Sequence, residues 1–163
     1  MGGRKRTVYR GGLLADGRSD RLSAPNSVFV EDGAIGWIRP ADDEGDVGPG
    51  DPPEIVDAAG STIVPGMVDC HSHLTLPGGA NWIARIDDPP ERMLDVAEHN
   101  AKLQGRAGVR WARDVGAPVV RDPVDGRVRA LSLGIRDRWR DRAGYPYVRA
   151  AGSWLDRAGT IPG

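Results

Sequence analysis

One cysteine, one phenylalanine and two lysines, Lys5 and Lys102, are the scarcities that bound this 163-residue chain. With Cys70 alone, no disulfide can form within the chain, and a reducing, cytoplasmic compartment fits. No stretch approaches the ~18 consecutive apolar residues of a membrane span. Arg4-Lys5-Arg6 is followed by no continuous apolar run, so no secretory leader is expected. Net charge is also missing: 22 basic against 23 acidic residues give −1, which favours neither nucleic acid nor an anionic membrane as partner. The short basic cluster at the start therefore reads as a solvated tail.

What is abundant is glycine and proline, 23 and 13 residues, beside 39% hydrophobic residues. That composition makes a loop-rich globular chain, with five Trp carrying most of the aromatic packing. Thr7–Leu14 reads as a first strand. Ser27–Val30 and Ala34–Ile38 are apolar runs joined by Glu31-Asp32-Gly33, and Asp-Gly between such runs predicts a hairpin, since Gly takes the positive φ of a tight turn. Residues 40–53 are acidic and aperiodic, which predicts an exposed, mobile loop. Glu54–Ala58 and Ser61–Val64 give two more short strands.

After Met67 the rhythm becomes strand–helix alternation, which argues a parallel sheet. Pro90 opens a helix whose apolar face is Met93, Leu94, Val96, Ala97, Ala101 and Leu103, and Gly105 and Gly108 end it. Val109–Gly116 is the next strand with its exit. A second helix is expected over Val128–Arg142, weakened by Gly134, with Leu131, Leu133, Ile135 and Trp139 inward. Pro146–Gly152 is a third strand, and Ser153–Gly163 a loop.

The densest chemistry is His71-Ser72-His73 at the end of an apolar run. On a strand, residues two apart share a face, so two imidazoles can reach one metal ion while Ser72 looks elsewhere. The same alternation turns Cys70 away, as a small buried apolar residue. Asp69 either orients a ligand or bonds nearby backbone. Arg113 and Asp114 stand at the end of the second strand, with a site role, a mutual ion pair or loop anchoring as the readings. His99 lies on the first helix, where packing or surface exposure is expected. Thr75 and the Leu76–Asn81 loop could contact a substrate.

Pro65-Gly66-Met67-Val68-Asp69-Cys70-His71-Ser72-His73 resembles the entry to the first barrel strand of the amidohydrolase superfamily, in flavour its imidazolonepropionase-like and prolidase-like branch. Glu31-Asp32-Gly33-Ala34-Ile35 and Val56–Val64 resemble the β segment before the barrel, Gly108–Gly116 the second barrel strand, and Tyr147–Gly152 the third. The resemblance implies an α/β fold: a partial N-terminal β-sandwich over residues 1–64, then the first three β/α units of an incomplete (β/α)₈ barrel over residues 65–163. A full barrel takes roughly 250 residues.

It further implies a metal-dependent hydrolase acting on a C–N bond other than an ordinary peptide bond. His71 and His73 would ligate Zn²⁺ or another divalent metal, one or two ions in a complete site. Asp69, Arg113 and Asp114 would orient those ligands from behind or stand on a loop that meets the substrate. The remaining ligands and the general acid/base Asp would lie beyond residue 163, so the isolated chain is expected to be inactive, a degenerate product, or a half that needs a complementing chain or homo-oligomer. The substrate would be a small molecule. One departure stands out: where relatives carry a Gly-Gly-His-Gly-like element, this chain reads Ala158-Gly159-Thr160-Ile161-Pro162-Gly163.

Overall fold

The computed structural model describes residues 4–155 and Arg157, and the chain divides into two compact units, Met1–Pro65 and Gly66–Gly163. The first unit is a five-stranded sheet ordered β3-β2-β1-β4, with β5 also pairing with β1. Its spine is β1 (Arg6–Leu14). This strand runs antiparallel to β2 (Asn26–Glu31) with Val8 opposite Phe29, and parallel to β4 (Glu54–Asp57) and β5 (Thr62–Ile63). The hairpin from β2 to β3 (Ala34–Pro40) turns on Asp32 and Gly33, at φ 49° and 81°. Positive φ at both central residues is the turn that matches strand twist, which is why Asp-Gly announces it. Val8, Val28, Phe29 and Ala58 are buried in this unit.

Two expectations for this unit need correcting. Arg6 is not part of a solvated tail. It is 6% exposed, and its guanidinium donates to the carbonyls of Val47, Gly48 and Asp51. The same bonds show that residues 40–53, though irregular, are anchored. Glu44 accepts from Arg10 at 2.7 and 2.8 Å and from the Ser27 hydroxyl at 2.7 Å, and the Trp37 indole donates to the Asp46 carbonyl. An acidic loop needs cations and donors to settle on, and β1 and β2 supply them.

The second unit is built on a parallel sheet ordered β10-β7-β6, made of β6 (Met67–Ser72), β7 (Val109–Asp114) and β10 (Tyr147–Ala150). Helix α1 (Pro90–Arg106) joins β6 to β7. Pro90 suits its first turn because the missing N–H would have no partner there, Glu91 and Arg106 match the two ends of the dipole, and Gly108 at φ 83° follows its end. Met93, Ala97 and Ala101 recur at helical spacing and are buried against Ala112 and Val148, whereas Leu103 is 49% exposed and off the expected face. Burying Met93 alone is worth roughly 1.5–3 kcal/mol.

The expected helix over 128–142 is shorter. It is α2 (Leu131–Trp139), and Val128–Ala130 instead forms β9, hairpinned antiparallel to β8 (Val119–Arg121). The hairpin wins because Asp125-Gly126, with Gly126 at φ 73°, supplies a tight turn. Arg129 is then held by Asp122, Asp125 and Asp137. Leu131, Ile135 and Trp139 line the buried side of α2, and Glu98 of α1 accepts from the Trp139 indole and the Tyr145 hydroxyl. Both helices cover one face of the sheet. On the other face Val68, Trp111 and Tyr147 stay 60%, 42% and 41% exposed. Among the described residues, no helix is long and apolar enough to cross a membrane.

Candidate functional site

The two histidines come together by a route that regular alternation does not describe. Asp69 pairs with Ala112, yet Ser72 pairs with Asp114, so β6 spends three steps where β7 spends two. That is a β-bulge, and His71 sits in it. A bulge takes a backbone N–H out of the ladder, and here Asp69 Oδ1 accepts the His71 N–H at 3.1 Å. Asp69 Oδ2 accepts from the Ser72 hydroxyl at 2.9 Å and from Gln104 of α1 at 3.1 Å, and Gln104 also donates to Ser72 Oγ at 2.8 Å. The Asp69 carboxylate thus bonds nearby backbone, at the amide of His71.

His73 follows the strand end. Its Nδ1 lies 3.1 Å from the Gly116 carbonyl oxygen. A carbonyl can only accept, so Nδ1 is the donor in this contact, the arrangement in which a neutral imidazole keeps its lone pair on Nε2. The His71 and His73 rings are edge-on, with centroids 5.5 Å apart and planes at 73°. Two imidazoles sharing one zinc through ~2.0–2.1 Å bonds hold their centroids roughly 5 Å apart. The separation of the two rings is of that order. Among the described residues, no group of three or more His, Cys, Asp or Glu is placed to hold a metal.

Aromatic rings surround His73. Trp82 lies parallel to it, centroids 6.2 Å apart at 9°, and Trp154 is tilted against it at 5.8 Å. His73, Leu76, Pro77, Gly78 and Trp82 line a pocket of about 220 Å³. Part of the loop after His73 thus borders the site, but Thr75 is 1% exposed and cannot meet a substrate there.

Asp114 and Arg113 part company, as neighbours on a strand must. Asp114 is fully buried, accepting the Leu74 N–H at 2.9 Å and the Gly116 N–H at 3.1 Å. Burial pushes its carboxyl above the usual range, and these backbone donors offset part of that rise. Arg113 is exposed on the bare sheet face beside Val68, Cys70, Trp111 and Arg149, so the mutual ion pair does not form. Cys70 shares that face and is exposed, against the expectation of burial. His99 is exposed on α1, in a pocket it lines with Pro77 and Gly78. The third-strand exit at Ala158–Gly163 lies outside the described residues.

Sequence reasoning missed Gln104, Gly116, Trp82 and Trp154. Gly116 alone had a signal, as the glycine ending a strand whose tip faces the histidines. Its φ is 149°, and a Cβ there would meet the Trp154 indole nitrogen at 2.0 Å.

Known proteins match the same regions. The chain is 36% identical over 108 residues to the imidazolonepropionase of Pseudomonas entomophila (strain L48), covering 64% of this chain and 25% of that protein. Among solved structures, a Xaa-Pro dipeptidase with bound methionine in the active site aligns at a TM-score of 0.69 and 22% identity, over 93% of this chain and 34% of that one. Molinate hydrolase aligns at 0.66 and 25% identity, over 95% and 31%. The chain thus spans about a third or less of the length of these relatives. The model of the amidohydrolase family matches residues 54–139, over half of the chain and across both the bulged strand and α1, and the chain belongs to that family.

Proposed function

We propose that this chain forms part of a metal-dependent amidohydrolase cleaving a C–N bond other than an ordinary peptide bond, with His71 and His73 as two ligands of a divalent ion, zinc foremost. One observation carries the reading: the Gly116 carbonyl engages Nδ1 of His73 as a donor, leaving Nε2 bare on a ring whose centroid lies 5.5 Å from that of His71. When bound, such an ion supplies hydroxide near neutral pH from a water of pKa ~7 and polarises the carbonyl under attack. The chain's own residues do the positioning. Gly116 holds the His73 ring, Asp69 holds the bulge that presents His71, and Leu76, Pro77 and Trp82 line the pocket beside His73.

The unit at Met1–Pro65 would be part of an N-terminal β-sandwich, and β6, β7 and β10 the first three strands of a (β/α)₈ barrel. Their parallel order and one-sided helix cover support this, as does the likeness to solved hydrolases. The further ligands, one or two ions in all, and the acid/base Asp would come from outside the described residues, leaving these 163 residues inactive alone. The substrate class that fits is a small cyclic amide, imide, amine or dipeptide-like molecule, handled in the cytoplasm without nucleic acid or membrane. A complementing chain would supply the missing strands, and a homo-oligomer is the other association proposed. The second reading is a truncated or degenerate, non-catalytic product.

The experiment is purification from native cells with whatever the chain is joined or bound to, followed by metal analysis and hydrolysis assays on cyclic amides and dipeptides, before and after chelation. One or two equivalents of divalent metal with chelator-sensitive hydrolysis support the enzyme. A metal-free, inert assembly supports the second reading.

A further inference from the structure

Around His73 the backbone is tied at two points to a single buried side chain. Asp114 is fully buried at the end of β7, and its two carboxylate oxygens divide their work. Oδ2 accepts the N–H of Leu74, the residue directly after His73, at 2.9 Å. Oδ1 accepts the N–H of Gly116 at 3.1 Å. Gly116 in turn presents the carbonyl that takes the His73 Nδ1 proton, again at 3.1 Å. The Asp114 backbone closes the same region, since its carbonyl accepts the Ala151 N–H at 2.9 Å and thereby binds the exit of β10.

We propose that Asp114 is a positioning residue for His73: through Leu74 it fixes where the imidazole starts, and through Gly116 it fixes the carbonyl that sets the ring's tautomer and aim. The proposal deepens the metal reading of His71 and His73 and rests on it for its metal arm, though not for its tautomer arm.

The chemistry asks for a carboxylate. Two backbone donors arrive from different segments, and only a group with two acceptor oxygens satisfies both. An asparagine of the same shape keeps one acceptor, and its NH₂ then faces an N–H that it cannot accept. One of the two ties must break, and either loss loosens the hold on the ring. Outer partners of this kind commonly change metal affinity by about 10–100-fold when removed. Burial alone does not produce the arrangement. Asp122 is equally buried but is spent on Arg129 and Arg138, with no bond to the His73 turn.

The test compares wild type with Asp114→Asn and Asp122→Asn, all as the full 163-residue chain, with ¹⁵N-labelled histidine. Spectra are taken well above the ordinary imidazole pKa range. Wild type is expected to show His73 as one tautomer, protonated at Nδ1. In D114N the His73 nitrogens should move toward a tautomer mixture, and the zinc concentration that shifts the rings should rise by about 10–100-fold. D122N should lose thermal stability while leaving the His73 tautomer and the zinc response unchanged. If D114N loses stability like D122N with the His73 signals unmoved, Asp114 only supports the fold and the proposal fails. Should D114N not fold, the wild-type spectrum still decides, because a His73 protonated at Nε2 overturns the arrangement. Should zinc move neither ring in wild type, the metal reading fails, while the tautomer change in D114N still tests the positioning role.

Discussion

The Nδ1 of His73 lies 3.1 Å from the carbonyl oxygen of Gly116, 43 residues further along the chain. Gly116 is where the positioning of that ring is most exposed to substitution. Its φ of 149° disfavours any side chain, and an added Cβ would meet the Trp154 indole at 2.0 Å. Gly116→Ala should cost about 1–3 kcal/mol from backbone strain and displaced packing. Thermal melts measure the cost. Fluorescence of the 163-residue chain should shift as Trp154 moves, and the His73 ring resonances should move with it. A neutral substitution would mean that Trp154 does not rest on this loop.

Gly134 offers a test in which helix propensity and packing disagree. It lies in α2, where alanine is ordinarily the better residue by about 1 kcal/mol. A Cβ at this position would stand 2.1 Å from Asp122 Oδ2. Asp122 cannot retreat easily, being fully buried and held by Arg138 at 2.6 Å and Arg129 at 3.2 Å. Gly134→Ala is therefore expected to destabilise the second unit by about 1–3 kcal/mol rather than stabilise it. Denaturant unfolding followed by circular dichroism gives the sign.

The same carboxylate sets a pH dependence. Burial alone would raise the pKa of Asp122, but hydrogen bonds from Arg138, the Val124 N–H and Arg129 outweigh it and hold the carboxyl below its ordinary value. A folded pKa below the unfolded one means that the unfolded chain binds the proton more readily. The stabilisation is then fully present above about pH 4 and is lost as pH falls through the folded value. Melting temperature against pH should fall less steeply on the acid side in Asp122→Asn than in wild type. Parallel curves would show that the Arg129–Asp122–Arg138 cluster contributes nothing to acid unfolding.

The uncovered face of the β10-β7-β6 sheet predicts association. Val68, Trp111 and Tyr147 are exposed together there, with Trp111 stacked on Tyr147 at 4.9 Å. Contiguous exposed apolar surface of this kind drives self-association in an isolated chain. Sedimentation velocity of the 163-residue chain should show species larger than a monomer that grow with concentration, and Trp111→Lys should reduce them. A monomer at all concentrations would mean that this face is tolerated in water.

Residues carried the local structure well where a backbone requirement had a residue to announce it. Asp32-Gly33 marked the first hairpin and Pro90 the start of α1, each with a steric reason visible in the sequence. Asp125-Gly126 carried the same turn signal, yet the apolar periodicity of Leu131, Ile135 and Trp139 drew the expected helix back over β9. The histidine pair was legible as chemistry but not as geometry. Alternation placed His71 and His73 on one face, whereas a bulge capped by Asp69 brings the rings together. Bulges depend on register against a partner strand, and register is a property of two segments at once. Gly116 and Gln104 were hidden for a related reason, since each acts on residues at least 32 positions away. Arg6 shows the limit of composition: it belongs to a basic cluster, but β1 draws it into the unit to collect carbonyls.

The central claim is that His71 and His73 act as one metal-facing pair. Zinc titration of the 163-residue chain, followed on the ring nitrogens of ¹⁵N-histidine, tests it most directly. One nitrogen of His71 and Nε2 of His73 are expected to shift together over the same zinc range, with His99 unchanged and with weak affinity for two ligands. Independent shifts of the two rings, or a response at His99 alone, would contradict it.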